Sequence, residues 1–290
     1  MTAKTIYKTF SASDIESFKP AMKIGMLATI NDEGLPHLTL LSSLQASSPT
    51  QLTFGQFTEG LSKGFIKRNP KTAFLIMTLQ KEVWRGKATF THTAKSGPEY
   101  EMYNNIPMFR YNAYFGVHTV YYLDLVEHYG KQSLPMGSIV QAAVKTMVAR
   151  KLARRPAPRP VLNLWTQELM NKVDNLKFMA YIGDDGYPFI IPVIQAQAAS
   201  SERIIFSTSA YGDELTLIPE GVPMALFGMT LNMEDVLVRG TYRGIRSIGG
   251  FRCGVLDVDW VYNSMPPVPG QIYPPLELEP VTVFTTVPSS

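Results

Sequence analysis

Apolar residues run along this chain in short dense blocks separated by turn formers, and the blocks come twice. GMLATI (25–30) and HLTLLSSL (37–44) flank NDEGLP (31–36); KFMAYI (177–182) and FIIPVIQA (189–196) flank GDDGYP (183–188). An acidic residue, Gly and Pro between apolar runs signal a tight turn, so each copy is expected to open with a hairpin. QLTFGQF (51–57) then answers RIIFSTS (203–209), and after a short polar or helical stretch TAFLIMTL (72–79) answers MALFGMTL (224–231). Sliding the chain against itself by 152 residues aligns 32–79 with 184–231 without a gap, and 13 of the 48 pairs are identical. About three would be expected from average composition, so the chain holds two copies of one unit. WRGKATFT (84–91) matches VRGTYRGI (238–245) at an offset of 154, which predicts two inserted residues before it. TVYYLDLVEHY (119–129) and CGVLDVDWVY (253–262) complete the strands. Six short strands and one short helix per copy predict a small antiparallel barrel, and the chain is read as mainly β with helices, divided into residues 1–160 and 161–290.

Two segments fall outside the repeat. Residues 97–116 read as partly helical and are rich in aromatics, a segment expected to pack over a barrel or between barrels, or to wall a pocket. Residues 138–155 predict an amphipathic connecting helix that ends in Arg150, Lys151, Arg154 and Arg155 before PAPRP (156–160), an ending that suits the helix dipole and the prolines that stop it. From Ser264 onward seven prolines in 27 residues predict an extended tail.

Composition narrows the chemistry. A 45% hydrophobic, 18% charged chain is globular in balance, and a net charge of +3 argues for neither nucleic acid nor an anionic membrane as partner. One cysteine excludes an intrachain disulfide framework, and MTAKTIYKTF lacks the apolar core of a signal peptide, so a cytoplasmic protein is expected. No apolar run approaches the roughly 20 residues of a membrane span. The four histidines, His37, His92, His118 and His128, have no ligand-type partner at helical spacing, and no metal is expected. Neither a G-x-S-x-G elbow nor a P-loop is present. There remains EGLSKGFIKRNP (59–70), which sets Ser62 and Lys63 side by side after a strand and at a helix start. Such a pair suits an anion such as phosphate, with the lysine as a point charge and the hydroxyl and backbone N–H groups completing a cradle; it also suits a solvated surface turn.

The ordered set L-A-T-x-x-x-x-G-x-P (27–36), HLTLLSSL, LTFGQFTEGLSK, Asn69-Pro70 before AFLIMT, and a strand opening W-R-G resembles the pyridoxamine 5′-phosphate oxidase-like FMN-binding split-barrel family. The likeness is good over residues of about 20–95 and weaker over 173–262. It implies two paired split barrels with flavin mononucleotide in the groove between them, here as a pseudo-dimer within one chain. The family's phosphate-binding loop falls on Gln56, Phe57, Thr58, Ser62 and Lys63, and its flavin-contacting strand on Thr39, Leu40, Leu41 and Ser42. Trp84 and Trp260 are counted with the cofactor-binding set, and Lys67 or Arg68 could share the phosphate, since Thr39 or a neighbour stands where the family often has arginine. The W-x-x-x-R ending of true pyridoxamine phosphate oxidases is absent, because Trp260 leads into VYNSMPPVPG. The implied function is an FMN-dependent oxidoreductase acting on a small-molecule substrate or electron donor; a non-catalytic flavin- or haem-binding module is the alternative.

The second copy departs from the first where phosphate would sit. At the 152-residue offset Thr58 becomes Ala210, Ser62 becomes Glu214, Lys63 becomes Leu215 and Arg68 becomes Glu220. A carboxylate about 4 Å from a phosphate charge costs roughly 4 kcal/mol at an effective dielectric near 20. One FMN per chain is therefore expected, with the second barrel supplying a wall of the first groove through Trp260 or Arg239.

Overall fold

The computed structural model describes residues 5–57, 60–106, 116–153, 159–263 and 270–274. Two sheets carry the repeat. In the first, β1 (Ile24–Ile30), β2 (Pro36–Leu40), β3 (Gln45–Ser48), β4 (Gln51–Gln56), β5 (Lys71–Met77), β6 (Glu82–Ala94) and β7 (Thr119–His128) lie in the order β2-β1-β5-β6-β7-β4-β3, and β8 (Gln132–Ser133) pairs with β6. In the second, β9 (Leu176–Ile182), β10 (Pro188–Pro192), β11 (Gln197–Ser200), β12 (Arg203–Ser207), β13 (Pro223–Met229), β14 (Asp235–Ile248) and β15 (Phe251–Asn263) repeat that order as β10-β9-β13-β14-β15-β12-β11, with β16 (Gly270–Tyr273) beside β15. Among the described residues the strands of both sheets pair antiparallel throughout. Each sheet curls so that residues from its whole width meet: Leu27, Leu44, Leu52, Phe54, Phe74, Trp84 and Tyr121 share one core, and Met179, Ala196, Ile204, Phe206, Leu226 and Val236 share another.

A third core lies between the barrels and is built from matched positions. Met26, Ala28, Leu38, Ala73, Leu75 and Met77 meet Phe178, Ala180, Ile190, Ala225, Phe227 and Met229, each residue of the second set standing 152 after its counterpart. Side chains alternate across a strand, so one row of β1, β5, β9 and β13 fills its own barrel while the other fills the interface. Burial on both faces explains why these strands read as continuous apolar runs. The chain is thus two tandem split barrels that pair within one molecule.

The repeat reaches further than the sequence pattern showed. Helix α1 (Ala12–Phe18) is capped by Ser11 and precedes β1; Asn163, 152 residues on, caps a helix that precedes β9. Both side chains accept a backbone N–H of the first turn, and Ser11 with Asp14 completes a capping box.

The expected two-residue insertion before W-R-G is overturned. Met77 pairs with Val83 and Met229 with Asp235, and the bulges fall after Lys87 and after Arg239, so the 152 register continues into the bulge. Gly86 corresponds to Val238 in the ladder, and the match of R-G with R-G is not a structural one. HLTLLSSL is not one strand either. Leu41 N–H turns back to Gly25 O at 2.7 Å, Leu44 N–H closes on Leu41 O at 3.0 Å, and the chain re-enters as β3. A Cβ on Gly25 would stand 2.2 Å from Leu41 O, so that bend needs glycine beneath it.

Within residues 97–116, helix α3 (Pro98–Asn105) packs on β4 and β7, with the Tyr103 hydroxyl donating to Ser43 O at 3.0 Å; residues 107–115 lie outside the described part. The connecting helix, α4 (Met136–Ala153), packs on β11, β12 and β15 of the second barrel, although the division at residue 160 places it with the first. It is not amphipathic as expected. Ile139, Ala142 and Ala149 are buried, while Val140, Val144, Met147, Val148 and Leu152 are exposed. Arg154 and Arg155 lie outside the described residues, as do residues 264–269 and 275–290 of the proline-rich tail. Helix α5 (Leu164–Asn171) is the Asn163-capped helix before β9.

Candidate functional site

Strand β4 ends at Gln56, and the chain runs past Phe57 to Gly60, whose extended backbone (φ −164°) caps helix α2 (Leu61–Arg68). The first N–H groups of a helix have no partner inside it, so the start of α2 offers donors, with Lys63 one turn in. Strand β2 stands at the end of its sheet and, among the described residues, has a strand partner on one side only. Between these two edges lies a cleft of about 190 Å³. Its lining from the first barrel is His37 and the run from Thr39 to Ser43, with Gly55, Phe57, Gly60, Leu61 and Lys63; Asp235 and Tyr262 complete it from the second barrel.

Six of the eleven residues singled out in the sequence therefore meet in one place: Thr39, Leu40, Leu41, Ser42, Phe57 and Lys63. Ser62 stands just behind them. Its buried hydroxyl donates to Thr39 Oγ1 at 2.8 Å, tying α2 to β2 instead of facing the cleft. Gln56 is buried and accepts the Tyr121 hydroxyl at 3.0 Å. Trp84 does not reach the cleft. It is wholly buried in the first barrel, edge-on to Phe18, with its indole N–H donating to Asp14 Oδ1 at 2.8 Å. Trp260 stacks on Tyr262, ring centroids 5.5 Å apart, and is not itself part of the lining; the Arg239 guanidinium lies over the indole, 4.4 Å from its centroid. Lys67 and Arg68 are turned elsewhere, Lys67 over the Tyr121 ring and Arg68 onto Asp32. Thr58 lies outside the described residues.

Seven residues of the lining lie outside the predicted set: Ser43, Gly55, Gly60 and Leu61, which are chain neighbours of predicted ones, and His37, Asp235 and Tyr262. His37 is 2% exposed and makes ring contacts to Phe65, Tyr262 and Trp260 at 5.3, 5.7 and 6.4 Å. Burial, and then the charge of Arg239, hold its pKa down to about 3, so the imidazole in the cleft is neutral. The alternation that puts His37 and Thr39 on one face of β2 was its signal in the sequence. Asp235 and Tyr262 have no local signal, because only the pairing of the barrels brings them to β2.

The corresponding place on the second barrel is filled by the chain itself. The turn of helix α6 (Gly212–Leu215) carries Glu214 where α2 carries Ser62. Arg85 of β6 donates to both carboxylate oxygens of Glu214, at 3.0 and 2.9 Å, and also to Ile190 O and Gln132 Oε1. Its guanidinium lies over the Tyr211 ring, 5.3 Å from the centroid. Two residues along β6, Lys87 bonds Asp185 of the second barrel at 2.6 Å and Glu127 at 2.9 Å. These contacts raise the Lys87 pKa against the opposing effect of burial. Among the described residues no group of three or more His, Cys, Asp or Glu side chains could hold a metal, and no helix is long and apolar enough to cross a membrane.

No family model matches the sequence, and no curated protein matches it. Solved structures similar to parts of it include an FMN-binding protein from Syntrophomonas wolfei (TM-score 0.35, 13% identity, 42% of this chain and 84% of that one). General Stress Protein 26 from Bacillus anthracis is similar at a TM-score of 0.31 and 12% identity, over 42% of this chain and 97% of that one. An FAD-binding protein from Mesorhizobium loti is similar at a TM-score of 0.30 and 12% identity, over 44% of this chain and 98% of that one. Each spans less than half of this chain, and scores this low carry neither a function nor a site across.

Proposed function

We propose that the chain binds one flavin nucleotide, FMN, in the cleft between β2 and α2, and serves as an FMN-dependent oxidoreductase. The observation that carries the reading is the convergence of the β2 edge, the start of α2 with Lys63, and the Asp235 and Tyr262 wall on one cleft. The donors fit the group. Lys63 and the N–H groups opening α2 suit a phosphate, and the one-sided edge of β2 offers backbone groups to the polar rim of an isoalloxazine. At about 190 Å³ the cleft is smaller than the roughly 300–1,000 Å³ usual for ligand pockets, so the nucleotide would lie partly along the β2 edge, outside it. The flavin supplies the redox chemistry; the chain's part is to hold and orient it. Ser62 acts through Thr39, fixing α2 against β2, and Lys63 carries the charge.

Titration of the protein with FMN, followed by flavin fluorescence, tests the reading, with saturation expected at one equivalent per chain. Lys63→Ala should weaken FMN binding by about 1.5–3 kcal/mol, roughly 10- to 150-fold, and leave riboflavin nearly unaffected. A protein that binds no flavin, or a variant that loses FMN and riboflavin equally, removes the assignment. Reduction of the bound flavin by a nicotinamide nucleotide separates an enzyme from a carrier.

A further inference from the structure

The two barrels differ at matched positions: where α2 carries Ser62 and Lys63, the turn of α6 carries Glu214 and Leu215. Against the second barrel, the Arg85 side chain is 2% exposed and its Nε has no hydrogen-bond partner among the described residues, so a buried cation there keeps one N–H unused. A buried arginine is tolerated only when an anion meets it with good geometry, and the two parallel N–H···O contacts to Glu214 provide this. Glu214 holds the position of Ser62 in the repeat and remains 19% exposed on its side chain, so this place can be reached from solvent.

We infer that the place where Arg85 meets the α6 turn is an oxyanion-binding site whose bound anion is the chain's own Glu214 carboxylate, with Arg85 as the receptor. The external ligands it would accept are small oxyanions, inorganic phosphate among them, and Glu214 keeps them out. The inference stands apart from flavin binding, because it concerns a cation of the first barrel and a carboxylate of the second. Ile190 O and Gln132 Oε1 also hold the guanidinium, so removing Glu214 leaves the receptor in position.

Thermal unfolding of the full chain in phosphate against chloride, at matched ionic strength, tests this. The wild type should melt at the same temperature in both salts. Glu214→Ala should melt lower in chloride by roughly 5–15 °C, the consequence of an unpaired buried arginine, and should recover most of that loss saturably at millimolar phosphate. The double variant Glu214→Ala, Arg85→Leu should show no phosphate dependence. If Glu214→Ala fails to fold in chloride but folds in phosphate, the inference is upheld in stronger form. It is overturned if phosphate leaves Glu214→Ala unchanged, if it stabilises wild type and variant equally, or if the variant folds in neither salt while Glu214→Gln folds and ignores phosphate.

Discussion

His37 shows how a single residue couples the site to stability. A histidine in the unfolded chain titrates near 6.5, whereas this one stays neutral down to about 3. Between those values the unfolded state binds more protons, so stability falls as pH falls from 6.5, by about 2 kcal/mol at pH 5. The groups around the imidazole are Phe65 on α2, Trp260 and Tyr262 on β15, and the charge of Arg239 on β14; Asp235 and Lys63 share the cleft. His37→Phe keeps an aromatic ring there and removes the proton site. Denaturant unfolding at pH 6.5 and pH 5 should show the variant losing about 2 kcal/mol less than the wild type over that interval; equal losses would place the acid sensitivity elsewhere. Lys63 could be found by its type and its place after a strand. The neutrality of His37 could not, because it depends on Arg239 and Trp260, some 200 residues away in the chain.

At the scale of the element, β6 and β14 show both what an apolar pattern reveals and what it hides. Strand cores such as IGMLATI and KTAFLIM were legible because both faces are buried and the run is unbroken. β3 and β11 were not, since Leu41–Leu44 continues an apolar run while the backbone folds back over Gly25. The seven- and eight-residue helices α1 and α5 offer too few turns for a periodic signal, and their caps are the only local sign of them. The shared R-G of β6 and β14 is an identity of residues without an identity of place, since Gly86 stands opposite Phe74 and Gly240 opposite Met224. Gly86 is needed for its own reason: a Cβ there would stand 2.1 Å from Glu127 O and 2.8 Å from His128 Cα, where β7 crosses close. Gly86→Ala should cost about 3 kcal/mol, the upper range for overpacking a core, read as a lower urea midpoint at unchanged slope. A neutral substitution would mean that β7 can move away from β6.

For the whole molecule the interface core decides the behaviour of the parts. Met26, Ala28, Leu38, Ala73, Leu75 and Met77 are each at most 5% exposed, and the second barrel covers them. Residues 1–133, expressed without the second barrel and without α4, should self-associate or precipitate; sedimentation showing a stable soluble monomer would argue that the barrels do not depend on each other. The pairing also explains why one wall of the site was unreadable from sequence, since Asp235 and Tyr262 meet β2 only across that interface. It bears as well on how the two halves have been able to change. When two identical chains assemble, every mutation is inherited on both sides at once, and closing one groove closes its twin. Written into one gene, the two barrels can change independently: Glu214 can be fixed opposite Arg85 while Ser62 and Lys63 stay as they are, so matched positions come to carry different charge without disturbing the pairing.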